Sequence, residues 1–325
     1  MRAARWHARR DVRVEEVPDP SPGPGEVLVK VELCGICGTD VEEYRDGPVH
    51  IPVDAPNPLT GRTAPLALGH EIVGTVDGTR VIPDVVLGCG ACWWCRRRQE
   101  GICPDGAVIG LHCDGGLAGY VVAAADTCVP VNAPPEVAVF AEPTSVAVRA
   151  CRKAGDLSGA RVAILGGGTI GLLTAQVARA AGAGRITIVD PNPERRRLVA
   201  SYGSAAVPGE RVSGRGADVV VECSGAPGAV REAIRLVRRG GTVVLVGTRD
   251  DDEPLPLLEV VVAEKRLLGS AAHLWDEDVT AAVRLLESGV VDPRPLPSTR
   301  VPLDRVVPDG FEAEPGVKIL VDPWA

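Results

Sequence analysis

Four cysteines between Cys89 and Cys103 constrain this chain more than any other feature of its sequence. They follow the pattern C-x2-C-x2-C-x7-C in the stretch CGACWWCRRRQEGIC. Four thiolates this close together can close a tetrahedral shell around one zinc ion and leave no position open for chemistry. Disulfides are disfavoured because two-residue gaps strain a direct bridge, and ferredoxin-type iron–sulfur runs space their cysteines differently. We therefore expect a structural zinc site at Cys89, Cys92, Cys95 and Cys103, in what we call the four-cysteine lobe (residues 89–103).

Two further candidate metal ligands lie upstream of this lobe. Cys37 stands in CGICGTD and His70 in GHEIVG, and the chain has only five histidines. A catalytic zinc ion takes three protein ligands and keeps a fourth position open. For either residue alone, a buried cysteine or a core histidine is the better interpretation, but the two together favour a metal. We therefore expect the chemistry at Cys37 and His70.

Composition and charge exclude several classes of function. The chain has 325 residues, enough for about two domains, and its formal net charge of -8 argues against binding to nucleic acid or to an anionic membrane. Met1–Pro20 has no basic and then apolar leader, and no run of about 18 apolar residues occurs, so no membrane span is expected. Ten cysteines in such a chain indicate a reducing cytoplasm.

The pattern of apolar residues changes near Arg161. Before it, strands such as EVLVKVEL (Glu26–Leu33) are separated by segments rich in proline and glycine. After it, apolar strands such as RVAILG and TVVLVG alternate with amphipathic helices. This alternation predicts a doubly wound parallel sheet of the Rossmann type. The expected fold class is therefore α/β, with a β-rich first part.

A glycine-rich turn opens the second part. Gly166, Gly168 and Gly171 form G-x-G-x-x-G between a strand and a helix, and Thr169 and Ile170 lie within the motif. The first glycine permits a tight turn, the second lets the backbone approach a pyrophosphate, and the third lets helix and strand pack closely. The motif in this context predicts a dinucleotide site at these five residues.

An acidic residue completes this fingerprint. Asp190 ends the next strand, 24 positions after Gly166, where its carboxylate can accept hydrogen bonds from the adenosine ribose and repel a 2′-phosphate. An ordinary turn aspartate is the alternative. Arg195 lies within reach of the same ribose edge, although the run Arg195–Arg197 is also typical of a solvated helix face. The predicted cofactor is NAD rather than NADP.

Five segments occur in an order that resembles the zinc-dependent medium-chain alcohol and polyol dehydrogenases over nearly the whole chain. They are CGICGTD, GHEIVG, the four-cysteine lobe, FAEPTSVAVRA and GGGTIG. YRDGPVHIP followed by PNPLTG is most similar to their butanediol and sorbitol dehydrogenase branch. The resemblance implies a GroES-like catalytic domain at 1–148, to which 289–325 return, and an NAD-binding Rossmann domain at 149–288. It also implies a homodimer or homotetramer. The connection after GHEIVG is shorter than in the family, which indicates a trimmed hairpin.

The resemblance also assigns roles to individual residues. It places the third ligand of the catalytic zinc at Glu142, so that each chain would hold two zinc ions, although Glu142 could also serve as an acid at a helix N-terminus. It makes Glu71 an outer or alternate ligand. Thr39 matches the hydroxyl that relays the proton of the alcohol. Glu42 stands where many members carry a histidine as the next relay group, so either Glu42 accepts the proton or the relay ends at Thr39.

The implied reaction is hydride transfer between NAD and a small-molecule secondary alcohol or ketone, namely a vicinal diol, polyol or cyclitol. Tyr44, His273 and Trp275 are candidates for the substrate pocket, with ordinary surface or loop positions as equal alternatives. A quinone or enoyl reductase of the same superfamily normally lacks both zinc sites, which disfavours that interpretation. A catalytically inactive, metal-bearing binding protein of the same fold stays open, because Glu42 and the trimmed hairpin depart from the family pattern.

Overall fold

The computed structural model describes residues 1–199, 202–209, 216–249, 252–313 and 318–325. Their contacts divide the chain into two compact units: a first unit of Met1–Glu142, His273–Ser288 and Pro293–Ala325, and a second of Pro143–Ala272 and Gly289–Asp292. The fold is mixed α/β as predicted, since antiparallel strands build most of the first unit and a parallel sheet builds the second. The predicted functional domain bounds, 1–148 with 289–325 and 149–288, stay a prediction.

The strands are numbered in chain order. In the first part of the chain they are Arg2–Ala8 (β1), Asp11–Glu16 (β2), Glu26–Gly35 (β3), Leu66–Ala67 (β4), Glu71–Val76 (β5), Thr79–Pro83 (β6), Val86–Leu87 (β7), Ala107–Val108 (β8), Tyr120–Ala124 (β9) and Cys128–Pro130 (β10). They continue with Arg161–Leu165 (β11), Arg185–Val189 (β12), Ser204–Ala206 (β13), Ala217–Glu222 (β14), Val237–Leu245 (β15), Arg266–Gly269 (β16), Ser298–Pro302 (β17) and Lys318–Asp322 (β18).

The described residues contain fewer α-helices than strands. They are Gly38–Asp46 (α1), Pro135–Ala138 (α2), Ala141–Ala154 (α3), Thr169–Ala180 (α4), Pro193–Val199 (α5), Ala229–Leu236 (α6), Leu257–Val262 (α7) and Thr280–Glu287 (α8). Two π-helical segments lie at Trp275–Val279 and Val307–Phe311. Among the described residues, no helix combines the length and the apolar character that a membrane crossing requires.

The described residues of the first unit form three sheets. The largest has the strand order β10-β6-β5-β3-β18-β17, with β9 also paired to β3, and the smaller ones are β2-β1-β4 and β7-β8. In β3, Val29, Val31 and Leu33 are buried while the intervening Lys30 and Glu32 are not, which is the period of two that a half-buried strand requires. This alternation directs the apolar face of the central strand into the core.

The connection after GHEIVG is a tight hairpin between β5 and β6. Val76 pairs with Thr79, and the two residues between them, Asp77 and Gly78, have φ angles of 48° and 81°. Two consecutive left-handed residues form the turn whose twist matches that of antiparallel strands, and Asp-Gly is a preferred sequence for it. The chain therefore passes from His70 to the four-cysteine lobe by a short route.

The second unit contains a six-stranded sheet with the order β13-β12-β11-β14-β15-β16. Every adjacent pair in it is parallel. Numbered within this unit, the order is 3-2-1-4-5-6, the doubly wound arrangement of dinucleotide-binding domains. Ligands of such sheets bind at the carboxyl ends of the strands where the order reverses, here β11 and β14. The predicted Rossmann sheet is confirmed.

A carboxylate ties three strands of this sheet together. Asp218 at the start of β14 accepts hydrogen bonds from the backbone N–H of Arg161, at 2.9 Å, and from Nε of Arg238, at 2.5 Å. Burial alone raises the pKa of Asp218, but the hydrogen bonds from Arg238 and Arg161 outweigh it and lower the pKa from 3.8 to about 2. The ionised carboxylate therefore stabilises the folded sheet.

We expect Asp218→Asn to destabilise the protein by at most about 2 kcal/mol at neutral pH, because the lowered pKa measures the stabilisation of the charged form. This stabilisation is present above the unfolded-state pKa near 3.8 and is lost as pH falls through about 2. The difference from wild type should therefore shrink in acid. Urea unfolding at several pH values measures it, with Glu194→Gln on the exposed face of α5 as the control. A difference that persists unchanged at pH 3 contradicts the assignment.

Candidate functional site

The four-cysteine lobe lies between β7 and β8. Its backbone turns through two 3₁₀ segments, Cys95–Arg97 and Glu100–Ile102. The backbone N–H of Cys92 points at Sγ of Cys89, and the N–H of Cys95 points at Sγ of Cys92, both at 3.4 Å. Local turns therefore gather these sulfurs without contributions from distant parts of the chain.

The spacing of the sulfurs fits a tetrahedral metal site. All four Sγ atoms lie within 4.8 Å of one another, with 4.0 Å between Cys89 and Cys95 and 3.7 Å between Cys92 and Cys103. Four sulfurs bound to zinc at about 2.3 Å would be about 3.8 Å apart. Backbone N–H groups of Ala91 and Cys92 lower the pKa of Cys89 to about 7, whereas burial raises the pKa of Cys95 to about 12. A bound cation would keep all four cysteines deprotonated as thiolates.

Cys37 and His70 come together from two different elements. Cys37 is the N-cap of α1, and its backbone N–H donates to Oδ2 of Asp40 at 2.8 Å. His70 immediately precedes β5 and is buried. Oδ1 of the fully buried Asp40 lies 3.4 Å from Nδ1 of His70 and accepts a hydrogen bond from the N–H of Gly69 at 3.3 Å. Asp40 thus connects the start of α1 to the histidine.

This arrangement fits a metal ligand at His70. Because Nδ1 faces Asp40, Nε2 is the nitrogen that remains for a metal, as in the carboxylate–histidine pairs common around zinc. Burial alone lowers the pKa of His70, but the negative charges of Asp40 and Cys37 raise it well above its usual range. Surroundings that favour a proton on a buried imidazole also favour a divalent cation. The sequence motif CGTD contains Asp40, yet sequence reasoning did not assign it this role.

Glu71 is held by a lysine from the end of the chain. Lys318, the first residue of β18, forms an ion pair with the carboxylate of Glu71 and donates to the carbonyl oxygen of Ile36 at 2.9 Å. Both charged groups are almost completely buried. Burial raises the pKa of Glu71, and the positive charge of Lys318 opposes that rise. The contact with Lys318 favours the outer position for Glu71 over direct ligation.

Glu142 faces a histidine from a segment 131 residues further along. It lies in the first turn of α3, and its Oε1 is 3.5 Å from Nδ1 of His273. Nε2 of the same imidazole is 2.8 Å from Oδ1 of Asp84, which follows β6. Burial alone lowers the pKa of His273, but Asp84 and Glu142 on either side raise it to about 10. His273 is therefore buried between two carboxylates.

The three predicted ligands Cys37, His70 and Glu142 lie in one charged neighbourhood, and His70 and Glu142 are buried. Burial raises the pKa of Glu142, but His273 and then His70 lower it. Their ligand atoms are not all within 4.8 Å of one another. Among the described residues, only the four cysteines meet that spacing. The donor types nevertheless fit zinc, since thiolate, imidazole and carboxylate are its usual ligands. The catalytic ligand set therefore stays a prediction that the surroundings support.

The predicted relay residues lie on α1. Thr39 is half-buried, with its Oγ1 3.9 Å from Sγ of Cys37. Glu42 is also half-buried and lies three residues further, on the same side of the helix. Tyr44 is only 4% exposed, stacks on Phe311 and donates its hydroxyl to Oε1 of Glu312 at 2.8 Å. These contacts place Tyr44 in the core of the first unit.

The glycine motif forms the turn between β11 and α4, and Thr169 and Ile170 open that helix. A Cβ added at Gly171 would lie 1.9 Å from the carbonyl oxygen of Gly166, so helix and turn are in contact there. A Cβ at Gly168 would meet nothing within 4 Å, so the backbone borders open space. Gly166 itself has a φ of 99°. This combination of close contact at one glycine and open space at another fits a pyrophosphate site.

Asp190 is tied to this turn. Its Oδ2 accepts a hydrogen bond from the backbone N–H of Gly167, and its Oδ1 accepts one from that of Asn192, each at 2.7 Å. Nη1 of Arg195 lies 3.7 Å from Oδ2. A carboxylate has about four acceptor sites, so two remain for ribose hydroxyls. Asp190 and Arg195 are thus placed together at the carboxyl end of β12.

Two family models match the chain. That of the alcohol dehydrogenase GroES-like domain covers residues 23–133, and that of zinc-binding dehydrogenases covers residues 169–288. The (R,R)-butanediol dehydrogenase of Bacillus subtilis (strain 168) is 32% identical over 351 aligned residues, which cover 99% of this chain and 100% of that protein. The chain belongs to the zinc-dependent medium-chain alcohol and polyol dehydrogenase family.

Solved structures agree with this assignment. The crystal structure of 2R,3R-butanediol dehydrogenase from Bacillus subtilis has a TM-score of 0.91 and 30% sequence identity, with 99% of each chain covered. A zinc-binding dehydrogenase from Sinorhizobium meliloti 1021 bound to NADP has a TM-score of 0.86 and 32% identity, also with 99% of each chain covered. The comparisons confirm the predicted fold, the zinc-dependent oxidoreductase activity and the zinc and nicotinamide cofactors. They do not support the inactive binding protein.

The two metal sites should respond differently to the loss of a ligand. Cys95→Ser removes one of four neighbouring thiolates and should destabilise the protein strongly, because metal binding at such a site contributes directly to folding. Cys37→Ser should abolish turnover while the fold survives. Metal analysis should find close to two zinc ions in wild type and one in Cys37→Ser.

Thermal unfolding and an activity assay on the same samples complete this test. Cys113→Ser is a suitable control, since Cys113 lies outside both clusters and is only partly buried. Full activity in Cys37→Ser would show that the catalytic site has been placed wrongly.

Proposed function

We propose that this enzyme oxidises a secondary alcohol with NAD as hydride acceptor, and that its substrate is a vicinal diol, polyol or cyclitol. The main support is the buried cluster in which Asp40 fixes His70 beside Cys37, on a chain similar over its whole length to a butanediol dehydrogenase. A diol or polyol differs from a simple alcohol by a second hydroxyl close to the reacting one. The proposal therefore separates this enzyme from dehydrogenases of simple primary alcohols.

Cys37, His70 and Glu142 would hold the catalytic zinc, and the four cysteines the structural one. When bound, a catalytic zinc ion acts as a Lewis acid that lowers the pKa of the substrate hydroxyl. The protein fixes the donors: Asp40 orients the imidazole of His70, and the first turn of α1 fixes the backbone of Cys37. Lys318 neutralises the additional buried carboxylate of Glu71.

The proton of the alcohol must leave as hydride is transferred. Thr39 is suited to accept it, because its hydroxyl is adjacent to the Cys37 thiol and half-exposed. A hydroxyl can accept one proton and donate another, so it can pass charge to water without ionising itself. Glu42 is a carboxylate, and a fixed negative charge at that position would oppose formation of an alkoxide. We therefore infer that the relay ends at Thr39 and water.

Asp190 supports NAD over NADP, since its carboxylate at the end of β12 would repel a 2′-phosphate. Arg195, 3.7 Å from that carboxylate, is neutralised by it in the structure. The NADP complex of the Sinorhizobium meliloti protein shows that a similar fold can take the phosphorylated cofactor. In this chain we assign the preference to the pair of Asp190 and Arg195 together.

An apolar patch on the second unit supports a homo-oligomer. Leu257, Leu258, Val261 and Val262 of α7 are all more than half exposed, and β16 nearby is the edge strand of the sheet. Exposed apolar surface beside an unpaired edge is typical of a contact between copies. Sedimentation of wild type and Leu258→Glu tests this, since a dimer or tetramer should dissociate in the variant.

With ten reduced cysteines, we also infer a cytoplasmic enzyme.

An NAD-reduction screen tests the proposed activity. Purified enzyme is assayed with NAD against vicinal diols, polyols, cyclitols and simple primary alcohols, and zinc content is measured on the same sample. The proposal predicts the highest kcat/KM among compounds with adjacent hydroxyls. Equal or higher values for simple primary alcohols would contradict the substrate class.

Variants of α1 test the relay. Thr39→Ala should lower kcat by roughly 10² to 10⁴, the usual contribution of a group that moves a proton in the rate-limiting step. Glu42→Gln should leave kcat and NAD affinity nearly unchanged, because the relay does not pass through it. A large loss in Glu42→Gln at constant NAD affinity would assign the relay to the carboxylate instead.

Changing Asp190 tests the cofactor preference. Asp190→Ala should weaken NAD binding about 10- to 100-fold, the effect of losing hydrogen bonds to a charged acceptor. NADP binding should improve at the same time, since Arg195 can then meet the 2′-phosphate. Titration of protein fluorescence with each cofactor measures the dissociation constants for NAD and NADP. The control is the double variant Asp190→Ala/Arg195→Ala, which should not show the improved binding of NADP. A wild-type enzyme that prefers NADP contradicts the assignment.

A further inference from the structure

A chain of buried contacts runs from the loop before the four-cysteine lobe to the predicted ligand Glu142. Asp84 is held in place because its Oδ1 accepts the backbone N–H of Val86 at 3.1 Å. The same oxygen lies 2.8 Å from Nε2 of His273, whose Nδ1 is 3.5 Å from Oε1 of Glu142. All three side chains are at most 11% exposed. The hydrogen bond to Asp84 therefore holds Nε2 of the imidazole and leaves Nδ1 next to the carboxylate of Glu142.

The backbone next to His273 is also fixed. The N–H of Leu274 donates to Oδ2 of Asp278 at 2.9 Å, and the N–H of Asp278 donates back to the carbonyl oxygen of Leu274 at 2.7 Å. These bonds close the π-helical turn that follows His273. The ring thus has little freedom of its own, which is what a residue that orients another side chain requires.

These contacts argue against His273 as a substrate-binding residue. Both ring nitrogens already face carboxylate oxygens, and the residue is 2% exposed. With Nε2 bonded to Asp84, only the buried Nδ1 remains, and it lies 3.5 Å from the carboxylate of Glu142. Glu142, which faces the ring of His273, is a predicted metal ligand. The ring would therefore affect the reaction through the carboxylate of Glu142.

The two glutamates near the predicted metal, Glu71 and Glu142, have separate basic partners. Lys318 holds Glu71, and His273 faces Glu142. A carboxylate has two oxygens, so one can face the imidazole while the other binds a metal. Residues that contact metal ligands from outside usually orient them in this way. A glutamate side chain has three rotatable bonds, and without such a partner it would sample several rotamers.

Building on the proposed function, we propose that His273, anchored by Asp84, is a positioning residue that orients the carboxylate of Glu142 toward the metal held with Cys37 and His70. Asp84 lies five residues before Cys89, so the segment that leads into the structural lobe also supports the predicted ligand Glu142. His273 itself does not touch the substrate or the cofactor. Its effect is on how firmly and in which orientation Glu142 holds the ion.

The test uses the full-length, zinc-loaded enzyme and the variants His273→Gln, His273→Leu and Asp84→Asn. Zinc release into excess chelator is followed with a metallochromic indicator, and Cys37→Ser identifies which phase belongs to the catalytic ion. We expect this phase to be about 10 to 100 times faster in His273→Leu and Asp84→Asn. The phase of the four-cysteine ion and the dissociation constant for NAD should stay as in wild type, while kcat falls. His273→Gln keeps an N–H donor, so its zinc release should accelerate less and its kcat should fall less than in His273→Leu.

The control is His7→Gln. His7 is paired to Glu15 at 2.8 Å, the same distance as the pair of His273 and Asp84, but it lies on β1 outside the site. It should leave zinc release and kcat unchanged. If His273→Leu fails to fold, Asp84→Asn carries the test, because it preserves the shape of the side chain.

The outcomes separate the two proposals. Variants that lower only the melting temperature, with zinc release and kcat as in wild type, would overturn the positioning role and show a purely structural pair. A wild-type enzyme that holds one zinc ion and oxidises no diol or polyol would overturn the proposed function, and the positioning role with it. Faster release of the catalytic ion together with lower kcat supports both.

Discussion

The first unit is organised around the burial of negative charge. Several acidic groups are buried among the apolar strands of this unit, and each lies close to a positive partner. The groups are Asp40, Glu71, Asp84 and Glu142, and the positive partners are His70, His273 and Lys318. Burial of an unpaired charge is far more unfavourable than any single apolar contact is favourable. The fold must therefore bring positive partners close to these carboxylates, and a zinc ion held at the predicted ligands would add further positive charge.

This requirement explains the path of the chain. After the second unit, the chain returns to the first and contributes two of the three positive partners there. His273 comes from the segment before α8, and Lys318 begins β18, which pairs antiparallel with β3 next to Cys34 and Gly35. Removal of either returning segment would leave a buried carboxylate without its partner. The discontinuous first unit is thus a consequence of how its charged core is neutralised.

How much of this could be predicted depended on the distance along the chain between interacting residues. The glycine turn, Asp190 and the four cysteines were recognised because their spacing is local, and the parallel sheet because strands and helices alternate. Asp40 could have been found, since it follows Cys37 by three residues in a position that favours a helix-capping acid. The pairs of Lys318 with Glu71 and His273 with Asp84 could not, because 247 and 189 residues separate their members. No pattern of residues along one element indicates such contacts.

The two predicted metal sites differ in the same respect. The sulfurs of the four-cysteine lobe are gathered by consecutive turns within residues 89–103, so that this site is defined by its own sequence. The predicted ligands Cys37, His70 and Glu142 come from three segments. Asp40 on α1 contacts His70, and His273 from a fourth segment contacts Glu142. A local site can keep its geometry while the rest of the unit moves. The predicted catalytic site draws its contacts from distant parts of the first unit, and by our proposal Asp84 acts on Glu142 through His273 without touching the substrate.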